Sequence, residues 1–133
     1  MIRYLTVDEI LFIHKIGIEE HGGGDGILNR SAIESAVIQP QTAYFGQEQY
    51  PTLQAKAAAL GFSLIMNHAF VDGNKRVGFT AMKTFLLLNE HSFKCTPDEG
   101  EQAILSVAKG EITIEQFAEW IENHSELQQP SGE

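Results

Sequence analysis

The sequence is short of cysteine, of cations and of uninterrupted apolar runs, and each shortage narrows the field. Cys95 is the single cysteine, so no internal disulfide can form, and the usage suits a reducing compartment. With no histidine or acid at ligand spacing beside it, Cys95 reads as a structural thiol. Only nine Lys and Arg stand against 18 Asp and Glu, a formal net charge of −9. That balance argues against direct nucleic-acid binding and suits a basic partner. No apolar stretch is long enough to span a bilayer, so no membrane partner is expected. Met1-Ile2-Arg3 leads into Thr6-Val7-Asp8-Glu9 rather than an apolar run, so no secretory signal is expected and the chain reads as cytoplasmic. Internal repeats and sustained heptads are also missing.

What remains is ordinary globular composition. At 133 residues, 43% hydrophobic and 20% charged, the chain suits one domain with one core. Thr6-Val7-Asp8-Glu9 is a capping box predicting a helix to about Glu20, with Ile10, Leu11, Ile13 and Ile18 as its apolar face. His14, inside it, reads as a surface or boundary histidine. The following His21-Gly22-Gly23-Gly24-Asp25-Gly26 lacks the preceding strand and the trailing Lys-Ser/Thr of a phosphate loop, and reads as a flexible connector. Ser31-Ala32-Ile33-Glu34 predicts a second capped helix ending before Pro40, with Arg30 structural. Gln41 to Pro51 has no helical period and reads as an extended flap or short hairpin. It would either line a groove for an extended segment by strand addition or merely cover the core. Its aromatic residues Tyr44, Phe45 and Tyr50 read as packing residues.

Thr52 to Asn67 and Lys75 to Asn89 are apolar nearly all round, the pattern of two helices buried in the middle of a bundle. His91 after them reads as exposed. Thr96-Pro97-Asp98-Glu99 opens a helix to about Lys109, and Thr113-Ile114-Glu115-Gln116 opens a last one in which Trp120 anchors the core. From His124 the chain is polar and reads as a frayed tail. The expected fold class is all-α, a compact bundle of about six helices with little or no sheet and a flap ahead of the central helix.

The chemistry is concentrated between the two central helices, in His68-Ala69-Phe70-Val71-Asp72-Gly73-Asn74-Lys75-Arg76. A helix beginning near Lys75 leaves backbone N–H groups free, and its dipole adds partial positive charge, which favours an anion. Gly73 lets the backbone turn and approach a ligand, and Asn74 can donate its amide to the same oxygens. Lys75 supplies a point charge and Arg76 a bidentate grip suited to phosphate. Asp72 is a hard oxygen ligand fit for magnesium shared with substrate phosphates. His68 can take a proton at neutral pH. Taken singly these are ordinary turn and capping residues; together they describe a phosphate cradle, a metal ligand and a general base.

This run resembles the signature of the Fic/Doc family, His-x-Phe-x-Asp/Glu-Gly/Ala-Asn-Gly/Lys-Arg, and its Lys75 form is similar to the Doc (death on curing) branch. The stretch Gly26 to Gln41 resembles the segment ahead of the substrate-binding flap in Doc proteins. The resemblance divides the chain into a domain over residues 1–125 and a polar tail over 126–133. It implies catalytic His68, Asp72, Lys75 and Arg76, with His68 as base toward a target hydroxyl. It implies magnesium on Asp72, the phosphates of ATP on Gly73, Asn74, Lys75 and Arg76, and Phe70 as a core anchor. AMP-transferring Fic proteins usually have glycine where Lys75 stands and a second arginine where this chain has Phe79; Doc-type toxins share both differences. The resemblance therefore implies transfer of the terminal phosphate of ATP to a threonine of elongation factor Tu. Adenylyl transfer to a protein hydroxyl, or a non-catalytic phosphate- or partner-binding module, are the other readings. The self-inhibitory pattern of many Fic proteins, Ser/Thr-x-x-x-Glu-Gly/Asn, is missing, since Thr96-Pro97-Asp98-Glu99-Gly100 is one residue too short. A separate antitoxin folding as a helix into an apolar groove near the flap is then implied.

Overall fold

The computed structural model describes residues 1–128, and its helices start where side chains can satisfy the free N–H groups of the first turn. Thr6 caps α1 (Val7–His21), Thr52 caps α3 (Leu53–Met66), Thr96 caps α5 (Pro97–Ala108) and Thr113 caps α6 (Ile114–Glu122). In α1, α5 and α6 the reciprocal bond from Glu9, Glu99 or Gln116 completes a capping box. The second helix, α2 (Arg30–Ile38), begins earlier than the Ser31 box predicts, because Asn29 accepts from the Ala32 N–H. Arg30 is exposed and pairs with Glu34 at 3.8 Å. The fourth helix, α4 (Asn74–Leu88), differs from the rest: its N-cap is Gly73 and no side chain caps it.

A two-residue turn joins β1 (Ala43–Tyr44) to β2 (Gln47–Glu48), making the expected flap a short antiparallel hairpin. Phe45 and Gly46 both take positive φ there, 53° and 79°, as a two-residue hairpin turn of the right twist requires. Tyr50 is buried as expected. Tyr44 and Phe45 are not; Phe45 stands fully in solvent at the tip. The little sheet expected is there, in a second short pair. His91–Phe93 (β3) pairs antiparallel with Ser125–Leu127 (β4), so the chain after His124 is held through Leu127 rather than frayed. Ladder bonds from β3 hold this segment, although its polar side chains carry no burial signal. His91 is therefore half-buried rather than exposed. Residues 129–133 of the expected tail lie outside the described residues.

The core sits between α3 and α4, with α6 and α1 packed on either side. Gly61 on α3 faces Gly78 on α4, and an added Cβ on Gly78 would stand 2.9 Å from the Gly61 carbonyl oxygen. Small residues let the two backbones meet, while Leu60, Leu64, Ile65, Met82 and Phe85 fill the surrounding space. Each such side chain fully buried is worth about 1.5–3 kcal/mol. Trp120 lies at the edge of this core, half-buried and stacked on Phe117. Because α3 ends and α4 begins at the loop 67–73, this packing fixes the position of that loop.

Candidate active site

The loop is fastened from both sides. On one side Leu28 and Asn29 donate their N–H groups to the Ala69 carbonyl at 2.8 and 3.0 Å, and Val71 donates to Gly26 at 2.9 Å. On the other, the Asn74 side chain brackets Phe70, its Oδ1 accepting from the Phe70 N–H at 3.0 Å and its Nδ2 donating to the Phe70 carbonyl at 2.9 Å. Asn74, expected to donate to phosphate oxygens, thus spends its carbonyl and one amide proton on the loop itself. Phe70 is buried, consistent with an anchor, and its ring stacks on His14 with centroids 3.9 Å apart and planes 9° apart.

His14 is the larger surprise. The helical pattern of α1 suggested a boundary residue, yet His14 is buried and its Nε2 lies 2.9 Å from the Asp72 carbonyl. A carbonyl only accepts, so Nε2 carries the proton and donates. This bond pulls the Asp72 carbonyl toward α1. In a trans peptide the N–H lies opposite the carbonyl, so the Gly73 N–H turns away from α1. There it donates to Asp72 Oδ1 at 2.9 Å. Gly73 has φ 83° and ψ 13°, the left-handed region open to glycine.

Beyond Gly73 the first backbone bond of α4 runs from the Val77 N–H to the Gly73 carbonyl, so the N–H groups of Asn74, Lys75 and Arg76 precede the helical ladder. These three residues line a polar cavity of about 370 Å³ whose walls also include Asp72, Gly22 and Gly23. The glycine-rich connector therefore belongs to the site. A Cβ on Gly23 would lie 2.8 Å from Asp72 Oδ2, and Gly24 donates its N–H to the same oxygen at 3.4 Å. Sequence reasoning set this loop aside because it lacked a phosphate-loop pattern. Its contribution is close approach to Asp72, which only the fold reveals.

A second, larger cavity of about 640 Å³ is also lined by Lys75 and Arg76. Phe79, Phe93, Ile104 and Leu105 give it apolar walls, and Lys83 and Lys94 stand at it too. Four of the chain's nine Lys and Arg residues thus converge on one cavity in a protein of net charge −9. Lys83 lies over the Phe79 ring at 4.4 Å from its centroid. Cys95 also lines this space; burial, then the negative charge of Glu99, pushes its thiol above the ordinary range.

His68 stands exposed on the loop, outside the walls of both cavities, with φ 49°. A left-handed non-glycine residue is uncommon and is held there by the anchored neighbours Ala69 and Phe70. The arrangement is an uncapped helix terminus and two cations between two cavities, with an imidazole on the adjoining strained loop. Asp72 is an exposed carboxylate at the polar cavity, and no cluster of three or more His, Cys, Asp or Glu side chains suited to a metal occurs among the described residues. A lone carboxylate fits magnesium that takes its remaining oxygens from phosphate and water.

Residues 4–86 match the Fic/DOC family, and the chain belongs to that family. It is 40% identical over 89 residues to Toxin Doc of Mycolicibacterium smegmatis (strain ATCC 700084 / mc(2)155), covering 67% of this chain and 66% of that protein. It is 24% identical over 119 residues to Protein kinase doc of Escherichia phage P1, covering 88% of this chain and 91% of that one. No helix among the described residues is long and apolar enough to cross a membrane.

Proposed function

We propose that this protein is a Doc-type toxin, a protein kinase that moves the terminal phosphate of ATP to a threonine of elongation factor Tu and so arrests translation in the cytoplasm. The observation carrying this reading is that Lys75 and Arg76 form the shared wall of a polar and a partly apolar cavity. A nucleoside triphosphate has that same division, with phosphates for the helix terminus and a base for the aromatic side. The name Toxin Doc supports the toxin reading, and the name Protein kinase doc with the Lys75–Phe79 pair supports the kinase form.

In the proposed reaction the N–H groups at the start of α4, with Lys75 and Arg76, hold the phosphate oxygens and stabilise charge developing on them. His68 accepts the threonine proton as its oxygen bonds to the terminal phosphorus. The bond from that phosphorus to the bridging oxygen breaks, and ADP leaves. Asp72 would hold magnesium, which supplies charge neutralisation between phosphates. Asn74 and His14 keep the loop in place. An antitoxin helix is the expected partner. Its expected seat is an apolar groove near the flap, and the apolar groove of about 430 Å³ lined by Phe12, Ile13 and Leu88 between α1 and α4 is a second candidate seat. A tight 1:1 complex with the neighbouring open reading frame's product supports the antitoxin partner; full activity in its presence contradicts it.

The deciding experiment supplies the protein with magnesium, elongation factor Tu and ATP labelled at the alpha or the gamma phosphate. Label from gamma alone supports the kinase. Label from alpha means AMP transfer instead. Intact nucleotide binding with no label from either overturns this acceptor.

A further inference from the structure

The helix α3 is apolar on nearly every side, yet it carries a lysine, Lys56, with no exposed surface. All three protons of its ammonium group find oxygen atoms, two within the flap and one on the residue just ahead of it. Lys56 Nζ donates to Glu48 Oε1 at 2.6 Å, to the Tyr50 carbonyl at 2.6 Å and to the Pro40 carbonyl at 3.4 Å. Pro40 stands where the chain enters the flap, Glu48 lies in β2, and Tyr50 stands where the chain leaves it.

A hairpin with two residues in each strand has little stability of its own. This one also holds Phe45 at positive φ in its turn, with the ring in solvent. Its other ties are neutral: the Gln49 N–H to the Thr42 carbonyl at 2.9 Å, Gln39 Nε2 to Tyr50 Oη at 3.1 Å, the Thr42 N–H and Oγ1 to the Gln39 carbonyl at 3.2 and 2.9 Å, and Gln41 Nε2 to the Val37 carbonyl at 3.3 Å. The charged, three-way tie to α3 is the strongest of these, since hydrogen bonds to ionised groups exceed neutral ones. Burying an ammonium for stability alone gains little, because an apolar side chain of similar size does as well or better. What a lysine adds is directionality, fixing where three particular oxygens stand.

We infer that Lys56 is a positioning residue for the flap: it locks both ends and β2 of the hairpin to the central helix and so sets the edge that receives the target protein. This rests on the kinase reading only where it invokes the target. The lock between Lys56 and the flap is testable without it.

The test compares Lys56→Met and Glu48→Gln with the parent protein. Methionine keeps the volume and discards the three donors. Glu48 is half-exposed, so Glu48→Gln keeps the fold even if Lys56→Met does not, and weakens only the charged arm. Amide hydrogen exchange over residues 42–49 is expected to rise about tenfold or more in Lys56→Met and less in Glu48→Gln. Calorimetric affinity for ATP is expected to stay unchanged in both. In the gamma-phosphate assay, KM for elongation factor Tu is expected to rise about tenfold in Lys56→Met with kcat preserved. Unchanged flap exchange in a folded Lys56→Met, or in Glu48→Gln should Lys56→Met not fold, overturns the lock. Raised exchange with an unchanged KM overturns the positioning role. A parent protein that transfers no phosphate overturns the kinase reading, while the exchange result still decides the lock.

Discussion

Replacing Gly78 by alanine tests the claim that close backbone contact between α3 and α4 sets the site. The new methyl group would lie 2.6 Å from Ile65 Cγ1, 3.2 Å from Ile65 Cδ1 and 2.9 Å from the Gly61 carbonyl oxygen. The first two contacts belong to a buried side chain and the third to backbone, so none is relieved by a free rotation. Alanine in a helix interior recovers roughly 1 kcal/mol over glycine. Overpacking a well-filled core costs about 1–3 kcal/mol, and more where backbone must move. The backbone contact places this substitution at or beyond the upper end, for a net loss of about 2 kcal/mol. In a chain of this size that lowers Tm by roughly 6–10 °C. Gly61→Ala is the control, since its methyl would meet Gly78 O at 3.2 Å and Met82 Cβ at 3.3 Å, contacts that small adjustments absorb. Denaturant and thermal unfolding of both variants measure the difference. Because α3 ends and α4 begins at the loop 67–73, spreading them also shifts His68 relative to Lys75, and under the proposed mechanism kcat should fall with stability. A Gly78→Ala protein as stable as its parent would refute the packing argument.

Three further outcomes follow from the geometry. His68→Ala should lose at least about 100-fold in kcat while melting as the parent does, since His68 is exposed and the role proposed for it is proton transfer; parental transfer rates in this variant exclude it as the base. Cys95, its thiol pushed up by burial and by Glu99, should alkylate slowly at neutral pH and faster as pH rises, and ATP should protect it because it lines the larger cavity; equal labelling with and without nucleotide contradicts that placement. Glu9, bonded by Arg3 and the Thr6 N–H, and Glu99, bonded by the Thr96 N–H, are held below the ordinary carboxylate range. Their contribution is therefore complete above the unfolded glutamate value and is lost as pH falls through the folded values. Thermal melts taken down to about pH 3 should show this loss, with a shallower acid limb in a Glu9→Gln, Glu99→Gln double variant; identical acid limbs would discount the caps.

The parts of the site legible in the sequence are those whose meaning is local. Asp72, Gly73, Lys75 and Arg76 sit within one loop end and one helix turn, so spacing alone brings them to one cavity, while His68 stands on the same loop outside its walls. Capping residues such as Thr6, Thr96 and Thr113 act within three or four positions, and the helices start where they indicate. Phe70 followed from its place in the family signature, and its burial agrees.

Other roles depend on groups distant in the chain. His14 reads as a boundary residue on α1 until Phe70 and Asp72 are brought against it, 56 and 58 positions later. Gly23 gains its role from the Asp72 carboxylate packed over it, and the strand after His124 from β3. Lys56 breaks an apolar pattern that by itself argues for a hydrocarbon; only the folded flap supplies the oxygens that offset its burial. The sequence by itself determined the helices, their caps and the chemistry of one loop, because those depend on neighbours a few residues away. The tertiary structure decided how that loop is held, which cavities its cations divide and what the buried polar groups do, because those depend on which oxygens and rings the packing delivers.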